Sequence, residues 1–417
     1  MHIYWLVLLA GLLVSVPVDR LQAQEEILDS LIKTALENNP DLSAASFMSH
    51  SARETTEAAG ALPDPSVSVA FMNLPSGSFS LDRTPMSGVS VGITQKIPWP
   101  GKLSARTDLA DTQYRISKAE EELIRERVIR EVTDAYIEYS YWSLSKQIIE
   151  RYLDLLAVTV EIAETRYASG KSLAQDLLRA SSMVSRTEVR LMTADHRLNS
   201  ALLKLRQVVG DDSLSKALPA KLVDPGDEHV PESLDRSPLL RLALFKVDRA
   251  QSRKHLARHQ YYPDISLGID YRFRQDIAGD PIRGEDFLSF KVGFSLPLWF
   301  FAKQKYQVRS AEQMTYASIK REISIRDQLK RKYDDALSNL KLLKASIEKY
   351  ENSLLPEAQA ALEAAEVAYE VGEIDFNALL IAQTDAFDIR LERLDLLRQY
   401  RKTISLLAEL AGSKQER

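Results

Sequence analysis

Four stretches of the chain alternate strictly between apolar and small or polar residues. In the first, Val67, Val69 and Phe71 stand on one side and Ser66, Ser68 and Ala70 on the other. In the second, Val89, Val91 and Ile93 oppose Ser90, Gly92 and Thr94. The third sets Ile265, Leu267, Ile269, Tyr271 and Phe273 against Ser266, Gly268, Asp270, Arg272 and Arg274. The fourth sets Leu288, Phe290, Val292, Phe294 and Leu296 against Ser289, Lys291, Gly293 and Ser295. A period of two over about ten residues marks a strand with one apolar and one polar face. Strands are therefore expected at about 65–74, 87–97, 263–275 and 286–297.

Between and after these runs the period changes. Residues 103–168 contain no Gly or Pro, and Val128, Val132, Ala135, Tyr139 and Trp142 step by four and three. Further on, Leu177, Val184, Leu191, Leu198 and Leu205 recur every seventh residue. The positions three later, Ala180, Thr187, Ala194, Ala201 and Val208, are mostly small, which suits close helix packing. Long helical hairpins are expected over 102–209 and 303–411. At 1.5 Å per residue, sixty-odd helical residues extend roughly 100 Å, far more than a globular core requires.

The pattern is stated twice. "ALENNPDLSAA" at 35–45 is echoed by "SLDRSPLLRLA" at 233–243, and "LPDPSVSV" at 62–69 by "YYPDISLGI" at 261–269. "GVSVGITQKIPWPGK" at 88–102 is echoed by "FLSFKVGFSLPLWFFAK" at 287–303, and the Tyr167–Gly170 spacing by Tyr369–Gly372. Anchors in the same order at offsets of about 200 are an internal duplication. The expected organisation is a first repeat at 24–209, a Pro-, Gly- and acid-rich linker at 210–233, a second repeat at 234–411 and a tail at 412–417. Each repeat reads as helix, two strands and helical hairpin.

Composition narrows the possibilities. A formal charge of −5 and no cluster of Lys and Arg with interleaved aromatics argue against nucleic acid. The absence of Cys removes disulfides, thiolate metal sites, a catalytic thiol and a lipidated N-terminal cysteine together. Residues 1–23 read as an export signal, with an apolar core from Ile3 to Val16 and a cleavage site after Ala23. That core is shorter than the ~20 residues of a spanning helix. A mature chain that sits in a membrane must then do so with strands.

Four strands cannot close into a barrel with an interior, and an open sheet is prohibitive in a bilayer. Three chains contributing four strands each would close twelve strands with no edge. The expected fold class is therefore an α+β membrane protein: a trimeric twelve-stranded barrel continued by a long α-helical coiled-coil barrel.

The sequence resembles the outer-membrane efflux protein family, the TolC-like exit ducts of Gram-negative bacteria. The resemblance covers the mature chain. It rests on the helix starts at Pro40 and Pro238, the two Pro-Asp strand entries, "QKIPWPGK" at 95–102 and the two Tyr-x-x-Gly tips. It implies a homotrimer in the outer membrane with a large periplasmic portion, docked on a periplasmic adaptor and an inner-membrane pump of the resistance-nodulation-division type. The "IPWPGK" exit is similar to that of members paired with heavy-metal cation pumps. Drugs and a secreted polypeptide, as in type I secretion, are the other cargoes.

The resemblance also implies a periplasmic gate at the hairpin tips, with Tyr167, Gly170 and Gly372 at the tips and the adaptor-docking surface. A family carboxylate six residues after the first glycine falls on Asp176, beside Gln175. Three such groups would form a cation-attracting ring, but Asp176 equally fits an acid stabilised by a helix N-terminus. In the second copy Tyr369 matches the family aromatic. Ile374 stands where a basic residue is found, and Ala378 where a carboxylate is expected, with Asp375 displaced to plus three. Asp270, Arg272, Arg274 and Lys291 are expected to face the lumen.

Other features carry less. His255 and His259 are four apart, but no third ligand completes a metal set, and Lys, Arg and Gln surround them. Met48, His50, Met72 and Met86 read as packing. Trp99, Trp299, Phe300 and Phe301 fit an aromatic girdle or packing where strand meets helix. No cofactor is expected, and the lack of a phosphate loop, nucleophile elbow or full ligand set argues against an enzyme. The competing readings are a periplasmic adaptor, which has one hairpin where this chain has two, and a secreted coiled-coil protein, which leaves the strands unexplained.

Overall fold

The computed structural model describes residues 19–170, 172–215, 218–226, 231 and 233–412, with backbone alone for 19–26. The expected export signal thus lies outside the described residues except for the backbone of 19–23. In chain order the elements are α1 (Asp19–Asn38), α2 (Pro40–Ala59), β1 (Ser66–Met72), β2 (Gly88–Ile97), α3 (Lys102–Ala168) and α4 (Ala174–Val209). There follow α5 (Pro238–His259), β3 (Asp264–Phe273), β4 (Phe287–Ser295), α6 (Gln304–Lys349), a π-helical turn (Tyr350–Leu354), α7 (Leu355–Val371) and α8 (Phe376–Ala411).

The helix starts explain why Pro recurs there. Asn39 caps α2 by accepting from the Leu42 N–H at 2.9 Å, and Pro40 takes the first helical position, where its missing N–H costs nothing. The second hairpin differs from the first in one respect. α3 runs 67 residues without a break, whereas the corresponding helix of the second copy is interrupted at 350–354 by a π turn just before Pro356. Proline lacks the N–H that would continue the ladder, and the widened turn accommodates that loss without ending the helix.

The chain divides into two compact units, each drawing on both halves of the sequence. One holds residues 44–122 and 238–328 and contains the sheet. Its strand order is β1-β2-β3-β4, antiparallel throughout, and the β2–β3 pairing joins the two copies of the repeat with Val91 opposite Tyr271 and Gly92 opposite Asp270. β1 pairs only with β2, and β4 only with β3. Both outer strands therefore leave one edge open.

The apolar face of this sheet, which a soluble protein would bury, is exposed, and so is the polar face of the two outer strands. Val67 is 69% exposed, Phe290 73% and Val292 64%, while Ser90 and Gly92 on the other face are buried. The apolar face of every strand is directed at solvent or at a solvent substitute. None of the described helices is long and apolar enough to cross a membrane.

The other unit holds the residues up to 43, 123–237 and those from 329 onward. Among its described residues the regular elements are all helices, and they form three apolar clusters. The first packs Leu31, Ile32 and Ala35 of α1 against Val128, Val132 and Tyr139 of α3 and Leu202 and Leu205 of α4. The second joins α3, α6 and α8 through Ile137, Leu340, Ile347 and Leu397. The third lies around Tyr152, Leu156, Ala180, Tyr369 and Phe387. The seven-residue pattern of α4 resolves as small residues innermost. Ala180, Thr187 and Ala194 are fully buried, with Leu177, Val184 and Leu191 half-buried beside them. Small side chains at the seam let the helix axes approach, and the leucines seal its flanks.

The segment joining the two copies is strapped to this unit where it is described. Tyr136 donates to the Pro219 carbonyl at 2.7 Å, Tyr139 to Leu218 at 3.1 Å and Arg401 Nε to Val223 at 2.8 Å, and Tyr333 donates to Pro231. Leu222 is buried within the second cluster.

Candidate functional site

Two places concentrate the polar chemistry, one in each unit. On the polar face of the sheet, Asp270 and Lys291 form an ion pair at 2.7 Å. The register explains how they fit. Gly92 lies opposite Asp270, and a Cβ at Gly92 would come within 2.3 Å of Asp270 Oδ1. Gly268 in turn lies opposite Lys291. Gly92 thus vacates the space that the Asp270 carboxylate occupies, while a Cβ at Gly268 would press on the Thr94 hydroxyl at 3.0 Å. Arg272 is half-buried, its stem lying across Gly88, and among the described residues it makes no ion pair.

Arg274 does not stand on the wetted wall where parity predicts it: β3 ends at Phe273, and the Arg274 side chain is only 1% exposed. Its Nη2 donates to Asp280 at 2.7 Å, its Nε to the Pro85 carbonyl at 2.7 Å and its Nη1 to the Glu285 carbonyl at 3.0 Å. Its guanidinium lies 4.6 Å from the centroid of Phe287. A planar fork with five donors suits this role, because it satisfies two connecting loops at once. Hydrogen bonds from the Gly284 and Ile282 N–H groups, together with Arg274, hold the Asp280 carboxyl below the usual carboxylate range. Arg274 is thus a latch between the β1–β2 and β3–β4 loops.

At the other end of the strands, Lys102 and Asp264 form a second nucleus. Lys102 Nζ donates to Asp264 at 2.7 Å and to the Tyr262 carbonyl at 2.8 Å, and the Trp99 N–H also reaches Asp264 at 3.2 Å. Trp99 stacks on Tyr262 with ring centroids 5.8 Å apart. The sequence motifs "PGK" and "YPD" contain these residues, but only the fold shows that they were written for one another. Gly101 at φ +87° lets the chain turn tightly past His259. His255 and His259 meet edge to face at 4.7 Å. Burial, the His255 ring and the Lys102 charge push the His259 imidazole down. Among the described residues no group of three or more His, Asp or Glu is placed to hold a metal.

The second place is the pair of hairpin tips. Gly170 adopts φ +71° and Gly372 φ +82°, the left-handed conformation that reverses the chain after a helix. Gly372 N–H bonds to the Tyr369 carbonyl at 3.1 Å and Glu373 N–H to Ala368 at 2.8 Å, closing the turn. Both candidate carboxylates serve their own helices. Asp176 Oδ2 accepts from the Leu173 N–H at 3.4 Å, and Asp375 Oδ1 caps α8 by accepting from the Ala378 N–H at 2.8 Å. Asp176 thus sits in the first turn of α4, where a carboxylate is favoured by the helix N-terminus.

Tyr369 is placed in the seam between the tips, 4% exposed, and is not on a free wall. Burial pushes its phenol up, and the Asp176 carboxylate adds to that against the opposing charge of Arg166. Arg166, which the sequence did not single out, covers its ring. Arg179 crosses to Asn377 at 2.8 Å, and the Gln175 amide, oriented by its hydrogen bonding, accepts from Arg179 at 2.9 Å. Below them a groove of about 390 Å³ opens between α4 and α8, with Arg179, Arg186 and Asp385 at its rim. Tyr167, Leu173 and Val371 are 49%, 69% and 68% exposed, an apolar cap over the tips.

A sheet with an exposed apolar face and two open edges, carried by a chain of long paired helices, defines an outer-membrane channel fold. The solved structure of CusC, described as forming a transmembrane channel, superposes with a TM-score of 0.79 at 19% identity over 93% of this chain and 92% of that one. The outer membrane protein VceC of Vibrio cholerae gives 0.78 at 20% identity over 95% and 98%. The sequence model of the outer membrane efflux protein family matches twice, at residues 31–211 and 230–413, once for each copy of the repeat. The chain belongs to the outer membrane efflux protein family, whose members are transport channels. Its place is the outer membrane of a Gram-negative cell, with a periplasmic portion. The cobalt-zinc-cadmium resistance protein CzcC of Cupriavidus metallidurans is 23% identical over 75% of this chain and 74% of its own length. The pyoverdine export outer membrane protein OpmQ of Pseudomonas aeruginosa is 22% identical over 61% and 58%.

Proposed function

We propose that this chain is the exit duct of a tripartite efflux system. Three copies close a twelve-stranded barrel in the outer membrane, and their hairpins form a periplasmic tunnel. The tunnel receives small solutes from an inner-membrane pump of the resistance-nodulation-division type through a periplasmic adaptor. The observation that carries this reading is the sheet itself. Its apolar face is exposed on all four strands, and β1 and β4 each have one unpaired edge. In a bilayer every backbone group must be satisfied, so the β4 edge of one copy pairs with the β1 edge of the next. The likeness to CzcC makes cobalt, zinc and cadmium ions the first cargo to assay, while OpmQ points to pyoverdine.

In this reading the tips form the gate, with Asp176 and Gln175 nearest the closing point and Tyr369 and Asp375 holding the second hairpin in place. The exposed cap around Tyr167, Gly170 and Gly372 meets the adaptor. The test is the behaviour of the purified full chain. It is expected to require detergent, to run as a trimer in it and to give discrete conductance steps in a planar bilayer. A detergent-free monomer without steps would overturn the proposal.

A further inference from the structure

The polar face of the sheet carries more positive than negative charge, and the pairing shows where the excess lies. Alternation and register place Lys96, Asp264, Asp270, Arg272 and Lys291 on this face. Asp270 is matched by Lys291 at 2.7 Å. Asp264 is shared by two lysines, Lys102 at 2.7 Å and Lys96 at 3.4 Å. Arg272 has no carboxylate partner among the described residues. β1 itself adds no charge of either sign, since Ser66, Ser68, Ala70 and Met72 are its contribution to this face. Asp64, exposed at the entry to β1 with the same parity as Ser66, is a further acid. Lys96, Lys102, Arg272 and Lys291 thus stand against Asp64, Asp264 and Asp270, an excess of one positive charge per chain, and Arg272 is the group on this face with no carboxylate beside it.

We infer that Arg272 sets the charge preference of the barrel section, which favours anions over cations. The inference rests on the duct reading above, in which this face is the wetted bore. Three copies around an axis, in a bore walled by low-dielectric lipid-facing strands, focus their fields on the water between them. A solute favoured by the barrel is one bearing net negative charge, such as an anionic chelate or an organic acid, and a bare divalent cation gains nothing there.

The test is the reversal potential of the trimer in planar bilayers across a KCl gradient, beginning near 10 mM salt, where the screening length is ~30 Å. Arg272→Gln is expected to lower the chloride-to-potassium permeability ratio by roughly twofold or more. Asp270→Asn, which frees Lys291, is expected to raise it, and Arg272→Lys to leave it near the wild-type value. Both shifts should shrink near 1 M salt, where screening acts within ~3 Å. A loss of packing alone would not move two neighbouring substitutions in opposite directions. Channels whose ratio is unchanged by Arg272→Gln, or moves the same way in Arg272→Gln and Asp270→Asn, would overturn the inference and leave the duct reading standing. A wild-type trimer that passes no current would overturn both.

Discussion

Arg166 Nη1 donates to the Tyr369 carbonyl at 2.9 Å while its guanidinium lies 4.5 Å from the centroid of the Tyr369 ring. One residue belongs to the first hairpin and the other to the second. The carbonyl is also the acceptor for the Gly372 N–H that closes the second tip. One arginine thus ties the turn of one hairpin to the flank of the other, and the two tips are held as a single piece.

Removing that tie should loosen the tips. Arg166→Ala loses a charge-assisted hydrogen bond and a cation–π contact, together about 2 kcal/mol. Arg166→Lys keeps the charge but has no planar fork to stack and donate at once. Thermal melting of the detergent-solubilised protein should rank wild type above Arg166→Lys and Arg166→Ala lowest. Equal melting points for all three would show that the contact contributes nothing.

The two tip carboxylates should separate into a cap and a candidate gate. Asp375→Ala removes a side chain that accepts from the first turn of α8, at a cost of about 1 kcal/mol, and should lower the melting temperature with little change in conductance. Asp176→Ala gives up a longer bond, 3.4 Å, and should be milder in stability, about 0.5 kcal/mol. If Asp176 rings the entrance, the same substitution raises single-channel conductance or reduces cation preference. An unchanged conductance would leave Asp176 as a helix-terminal acid alone.

The repeat, the strands and the membrane were legible because each is periodic. A period of two shows which face is apolar, and a duplicated order of anchors shows how elements succeed one another. What periodicity cannot give is the partner of a single charge. Arg274 continues the polar face by parity, yet it lies one residue past the end of β3, where parity no longer governs direction and a loop carboxylate was within reach. Tyr369 falls at a tip by spacing, but Arg166 decides that its ring is covered. Lys102 and Asp264 sit in quoted motifs about 160 residues apart, and only the β2–β3 register brings them together.

The Arg274 latch should protect the outer loops. Arg274→Ala leaves Asp280 enclosed without its counter-charge and frees the Pro85 carbonyl, so both loops should become mobile. Limited trypsin digestion of the trimer should then cut after Arg283, which lies in the β3–β4 loop, at least tenfold faster than in wild type. Replacing both Arg274 and Asp280 with apolar residues removes the orphaned charge and should be milder than Arg274→Ala. Equal cleavage rates in wild type and Arg274→Ala would show that the loops hold without the latch.

Glu366 gives a prediction whose sign depends on pH. Burial pushes its carboxyl above the ordinary value of 4.5, and the neighbouring Glu363 and Glu370 charges add to the shift. The fold thus disfavours the charged form, so stability falls as pH rises from 4.5 through the folded value and the cost is complete above it. Glu366→Gln removes a charge that the fold resists and keeps the shape. It should raise the melting temperature at pH 7.5 and give no gain at pH 4, where wild-type Glu366 is itself largely protonated. Both variants carry the same other groups, so the difference between them isolates this one. A gain of equal size at the two pH values would mean that the amide packs better and that the repulsion from Glu363 and Glu370 is screened away.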